Sequence, residues 1–527
     1  MGNLSFFPSG LLGDRLVLNN LIASGEDNAA ATDAVDADMR EALRGINRTM
    51  EMRSLEDYFY LYEGHWNSSA PLGTAMGALS NGSLDLQFSM ERLSSSPYSL
   101  HRLHPVNDQL PFPLDPALAV SIAGLDLEEL HSEGRLFLSD HSPQLLFPKT
   151  ERYSAACSAY FFIHPDSGEL LPLAIKTNTD HDLVYTPLDA PRDWLLAKIM
   201  MNSNEVVFNQ VHYVAAAHAV QEIVYLAALR TLHDRHPALG LMERFFYNGY
   251  TTRARPTNVL TNEGGIFDRY FSITGEGAEQ AMSFYYASGA GAFQANYFIN
   301  NLESRGLINC TYGPALKSNP FFQDASQIVL GLRRFVTSLV YSYYKSDDIV
   351  TFDYELQDWV HEATASAQVI DFPQGRLTKR ETLIDMLCHF AFLTVVHNTL
   401  NGASPFSVSS TLPYHPVALH APLPATKGVE NILPWLPSKT AAVNEIAVFA
   451  KMNKPFASLE NKTFIHTLHE DAFLGRLNEE SRAAEQALWE EMEAISQRIR
   501  GKGFDKNGLS EGMPFLWTIL DPATMHG

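Results

Sequence analysis

Residues 205–237 read EVVFNQVHYVAAAHAVQEIVYLAALRTLHDRHP, and the reading of this stretch decides the fold. It holds no Gly, and no Pro before Pro237, while apolar residues recur at helical spacing from Val206 to Leu232. That pattern predicts one long central helix, running into the cations of Arg230–Arg235 and stopped by Pro237. His212 and His218 sit on it, separated by an Ala-rich stretch that lets another element approach closely. Six α-helical steps put the two imidazoles about 240° apart, on different faces. His212 can therefore share an ion with His218 only if the helix carries extra π-type bulges, which do cluster at functional sites. Otherwise it is a core histidine.

Outward from this helix, LIDMLCHFAFLTVVHNTLN (383–401) is a second long apolar segment. Its His397 and Asn401 are four apart, about 40° on one helix face, so one ion can meet both. Imidazole is the commonest ligand for Fe, Mn and Zn, and a carboxamide oxygen suits a weakly donating position. A lone His in an apolar helix is more often a satisfied core residue than a ligand, so neither pair is specific by itself. Further helices are expected at 276–300, 325–345, 352–368, 379–401 and 478–500, the last with Glu on one face and Ala, Leu, Trp and Ile on the other. Residues 65–190 are rich in Pro, Ser and Gly with short apolar runs. Among them YFFIHPDSGELLPLAIK (160–176) reads as a hairpin around Asp166-Ser167-Gly168. The expectation is a mainly α protein with a few short β-hairpins: a variable N-terminal lid over 1–54 and one catalytic domain over 55–527.

A formal charge of -22 disfavours nucleic acid and broad adhesion to anionic membranes, because both need clustered cations. Cys157, Cys310 and Cys388 are too scattered for a disulfide framework or a thiolate metal site, and read as small core residues. No apolar run is long enough to span a membrane. The first residues, MGNLSFFPSGLLGDR, have no basic stretch followed by an apolar one, so a cytoplasmic monomer is expected. Six Asn-x-Ser/Thr sequons, at Asn3, Asn47, Asn67, Asn81, Asn309 and Asn461, keep secretion of a processed chain open.

Several words then occur in one order: DWLLAK (193–198), LRTLHDRHP (229–237), YYKSDDIVTFDYELQDWVHE (343–362), DFP (371–373) with HNTLN (397–401), LPYHPVALHAPLPATKG (412–428) and GMPFLWTILDP (512–522). Together, over about 55–522, they resemble the lipoxygenase family, in the bacterial and fungal forms that lack an N-terminal β-sandwich. The resemblance implies a lipoxygenase-type helical bundle around a buried non-haem iron, or manganese as in some fungal members. It implies hydrogen abstraction from a doubly allylic carbon of a polyunsaturated fatty acid, addition of dioxygen and release of a hydroperoxide. Lipid and O2 would be its small-molecule partners. His397 and Asn401 match the family's H-x-x-x-N pair, and His218 its central-helix ligand.

Two departures stand beside the resemblance. The family's central-helix pair is usually H-x4-H across a bulge, whereas here Tyr213 stands five before His218 and His212 six before it. Family members also close on an Ile or Val whose terminal carboxylate ligates the metal; this sequence ends Thr524-Met525-His526-Gly527, a few residues short of that by count from GMPFLWTILDP. The candidate metal set is thus His212, His218, His397, Asn401 and Gly527, with Gly527 expected to fall short of the ion. A second reading keeps the fold but isomerises a hydroperoxide, or rearranges or cyclises an unsaturated small molecule; a third is a lipid-binding relative without a competent metal. GLSEG (508–512) matches G-x-S-x-G only by letter, since no apolar strand leads into Ser510, and H-E-x-x-H is absent.

Overall fold

Pro191 opens the central helix α1 (Pro191–Tyr213) at a position where its missing N–H is no loss. Asp193, in the first turn, accepts hydrogen bonds from Gly428 N and Val429 N at 2.8–2.9 Å. The helix is buried around nearly its whole circumference, so its polar side chains need partners. Lys198 pairs with Asp85 at 2.7 Å, Asn202 accepts from Arg92 at 2.7 Å, and Asn204 accepts from Cys157 N at 2.9 Å. The sequence predicts one unbroken α-helix over 205–232. Instead α1 starts earlier and gives way to a π-turn at Val214–His218, after which α2 (Ala219–Thr231) continues.

The structure, a computed structural model, describes residues 33, 35–41, 43–44, 51–62, 84–179, 181–246, 260–397, 399–400, 411–453, 464–468 and 477–525. Asn401, Gly527 and most of the expected lid over 1–54 lie outside the described residues.

Three more helices pack into a layer. α3 (Pro320–Tyr343) is capped by Asn319, whose side chain accepts from Phe322 N at 3.1 Å, and so begins a turn before the expected 325. α4 (Arg380–Phe392) runs into a second π-turn, Leu393–His397. α5 (Glu479–Arg500) buries Leu488, Met492, Ile495 and Ile499 and is capped by Asn478. Met492 approaches α3 at Gly331, where a Cβ would meet its Cε at 2.7 Å and the methionine end would have to shift. The expected helix over 276–300 is broken. Gly275–Tyr285 is helical, but Gly289 takes φ 125°, and helix resumes only at Phe298–Ser304. The expected 352–368 becomes Tyr354–His361 followed by a π-turn, Glu362–Ser366.

The β-structure is one antiparallel sheet in the order β1 (Leu100–Arg102), β2 (Leu136–Asp140), β3 (Ser158–Ile163), β4 (Leu170–Lys176) and β5 (Val184–Tyr185). The β3–β4 hairpin turns at Gly168, φ 69°, as the sequence predicts. Side chains alternate across the sheet. Phe137, Phe161 and Ile175 join the main core, while Leu136, Leu138, Tyr160 and Phe162 form a small cluster on the other face with Ala119 and Leu130. The sheet thus packs beside α1 and holds its N-terminal half in place. Among the described residues, no helix is long and apolar enough to cross a membrane.

Candidate metal centre

His218 and His397 each close a π-turn, the first between α1 and α2, the second at the end of α4. Ala215, Ala216 and Ala217 are buried with almost no side-chain bulk, which is what allows the two turns to meet. Tyr213 stands between the histidines: its ring centroid is 4.7 Å from that of His218 and 5.7 Å from that of His397, edge-on to both. His212 shares a cavity wall with His397 and packs among aromatic rings. It stacks on Phe208 at 4.8 Å and on Tyr98 at 5.3 Å, and its centroid is 6.4 Å from that of His397.

A narrow cavity of about 20 Å³, room for about one water, lies against this cluster, lined by His212, His397, Tyr98, Asn296, Asn301 and the apolar side chains of Phe298, Leu302, Phe321, Phe392 and Leu393. Ala216 and Ala290 complete its wall. The two asparagines are held by each other and by their surroundings: Asn301 Nδ2 donates to Asn296 Oδ1 at 2.8 Å, and Asn296 donates to Ala292 O at 2.7 Å.

Burial pushes the imidazoles strongly toward the neutral form. It lowers His212 to about 3 and His218 to about 4. His397 is held well below its ordinary value by burial first and then by its histidine neighbours and Arg305. Neutral imidazole is the form that binds a metal. His212 and His397 both line the cavity, so a group there meets two neutral imidazoles. In donor chemistry the site fits a divalent ion. In number it is incomplete: among the described residues no group of three or more His, Cys, Asp or Glu closes on one point. Gly527 cannot be placed, but the backbone leading toward it turns inward, for Leu520 and Met525 are fully buried and Met525 O accepts from Phe464 N at 2.8 Å.

Tyr98 was invisible to the sequence reading. It lies in the loop SSSPYS, stacks 4.4 Å from His397, and has a buried hydroxyl with no hydrogen-bond partner among the described residues. His389 was missed as well. It is buried on α4 between Phe293 and Tyr297, and burial lowers it to about 3. An apolar helical run gives no sign of such a residue. Met200 and Met201 are core, and the acidic pairs near ELQDWVHE are structural, with Glu362 bonded to Arg230 at 2.8 Å. GLSEG is a loop in which Gly508 and Gly512 have positive φ.

The lipoxygenase family model matches residues 115–502. The chain belongs to the lipoxygenase family. It is 44% identical to a manganese lipoxygenase of Fusarium oxysporum, covering 100% of this chain and 87% of that one. To the manganese lipoxygenase of Colletotrichum gloeosporioides it is 42% identical, over 100% and 87%. A solved manganese lipoxygenase superposes with a TM-score of 0.94 at 40% identity, covering 99% of this chain and 92% of that chain. Coral 8R-lipoxygenase shares the fold, with a TM-score of 0.80 at 22% identity. As a lipoxygenase, the protein is a metal-dependent dioxygenase that forms hydroperoxides from polyunsaturated fatty acids. Iron leads among the cofactors expected from the family, but these two fungal relatives are named for manganese.

Proposed function

We propose that this lipoxygenase works with manganese, held by His218, His397 and Asn401, on a fatty acid whose chain lies in the cavity beside them. The observation that carries the reading is the pair of neutral imidazoles ending π-turns on two helices, with His397 lining a narrow cavity. When bound, the ion supplies the one-electron acceptor that hydrogen abstraction from a doubly allylic carbon needs. The chain's own residues do the rest. Phe298, Phe321 and Phe392 exclude water and would flank the acyl chain, with the small Ala216 and Ala290 in the wall beside it. The locked pair Asn296–Asn301 gives the wall one fixed polar point. The names of the fungal relatives support manganese over iron, and His212 in this reading lines the cavity. Elemental analysis of purified protein, paired with an oxygen electrode and linoleic or arachidonic acid, tests it. Near-stoichiometric manganese with oxygen uptake and hydroperoxide formation is expected. Stoichiometric iron, or metal without oxygen uptake, would refute it.

A further inference from the structure

The π-turn Val214–His218 changes which residue stands beside His218. A π-turn adds one residue to a helical turn and so rotates everything before it by about 100° relative to everything after it. Across that rotation His212 lies about 140° from His218, still on another face, whereas Tyr213 lies only about 40° away. The rings obey this phase: Tyr213 packs on His218 at 4.7 Å and on His397 at 5.7 Å, while His212 stacks on Phe208 and Tyr98.

We infer that Tyr213 is a metal ligand of this centre, binding through its phenolate oxygen in the place beside His218; this rests on the metal-centre reading above. Ring geometry agrees. An imidazole bound at about 2.1 Å has its centroid about 3.3 Å from the ion, and a bound phenolate, bent at its oxygen, about 4.3 Å. Neighbouring ligands at about 75–100° would then have Tyr–His centroids about 4.7–5.9 Å apart. The observed 5.7 and 4.7 Å fall in that range. On binding, Tyr213 gives its phenol proton to solvent, just as a bound cation deprotonates a coordinating thiol.

The test uses full-length protein loaded separately with manganese and with ferric iron, as wild type, Tyr213→Phe, Tyr213→His and His212→Ala. Ferric wild type should show the intense visible absorption of phenolate-to-iron charge transfer. Tyr213→Phe should lose that band and bind manganese about tenfold or more weakly, an effect at least the size seen for outer partners of metal ligands. Tyr213→His should lose the band yet keep the metal, because an imidazole there restores a histidine in phase with His218. His212→Ala should keep both band and affinity. A Tyr213→Phe protein with wild-type affinity and spectrum overturns the inference alone. A wild type that takes up no metal overturns it together with the metal-centre reading. A His212→Ala protein that loses metal while Tyr213→Phe retains it gives the position to His212 instead.

Discussion

Glu205 lies on α1 two turns before His212, 2% exposed, in a region where an isolated carboxylate could not stay charged. Burial raises its pKa, but the Arg92 guanidinium at 3.5 Å and the bonds from His141 at 3.2 Å and from Ser99 outweigh it, and the carboxyl is held at about 2. Ser96 donates to it as well, at 2.8 Å. Ser96 and Ser99 flank Tyr98, so the carboxylate fixes the loop that carries the ring stacked on His397. Glu205→Gln keeps size and one accepting oxygen, removes the charge, and sets an NH2 donor where a second acceptor stood. A fall from the ordinary 4.5 to about 2 corresponds to about 3 kcal/mol, and breaking a buried pair by removing one partner costs a similar 3–5 kcal/mol.

The sign follows from a folded pKa below the unfolded one. This contribution is present above about pH 4.5 and is lost as the pH falls toward 2. With about 2.1 cal/mol/K of unfolding entropy per residue, a chain of 527 residues should lose about 3 °C in Tm at neutral pH. Thermal unfolding of the metal-free wild type and variant from pH 7 down to pH 3 measures this. The gap should be widest at pH 6–7 and narrow below pH 4. A variant that melts with the wild type at pH 7, or a gap that widens on acidification, would refute the account of Glu205 as a charge held by Arg92.

His397→Ala should abolish bound metal by elemental analysis, since it removes the donor that closes the α4 π-turn; retained stoichiometric metal would contradict the proposed ligand set. Tyr98→Phe deletes a buried hydroxyl without a hydrogen-bond partner among the described residues and keeps the stacked ring, so the metal-free protein should be as stable as wild type or up to about 1 kcal/mol more stable. A loss of several degrees in a thermal-shift assay would reveal a partner for that hydroxyl. Gly134→Ala should destabilise by about 2 kcal/mol or more, because φ is 63° and a Cβ there would run into the Tyr312 backbone. Chemical denaturation checks it, and a neutral result would mean that this loop shifts freely.

The parts of the fold legible in the sequence are those with a period. The apolar repeats of α3, α4 and α5 place these helices to within about a turn, and the alternation around Asp166–Gly168 gives the β3–β4 hairpin. Where two local signals compete, periodicity misleads. SGAGAF reads as a turn on its glycines, yet the apolar pattern carries a helix through it to residue 300. The turn prevails, because Gly289 reaches φ 125°, open to glycine and strained for any other residue. Tyr98 has no period to betray it. Its loop is fixed by hydroxyls bonding to a carboxylate on α1, a contact far along the chain.

The two candidate ligand pairs differ in legibility for one physical reason. His397 itself ends the α4 π-turn, so that turn lies before the His397–Asn401 interval in sequence. The His212–His218 interval instead spans the turn Val214–His218, and no residue type in VAAAH announces the extra residue. Counting histidines therefore selects His212, the nearest imidazole. Counting backbone phase selects Tyr213, and the ring contacts follow the phase. A residue type that sequence patterns never propose for this position can thus stand in the ligand shell, provided one bulge brings it into register.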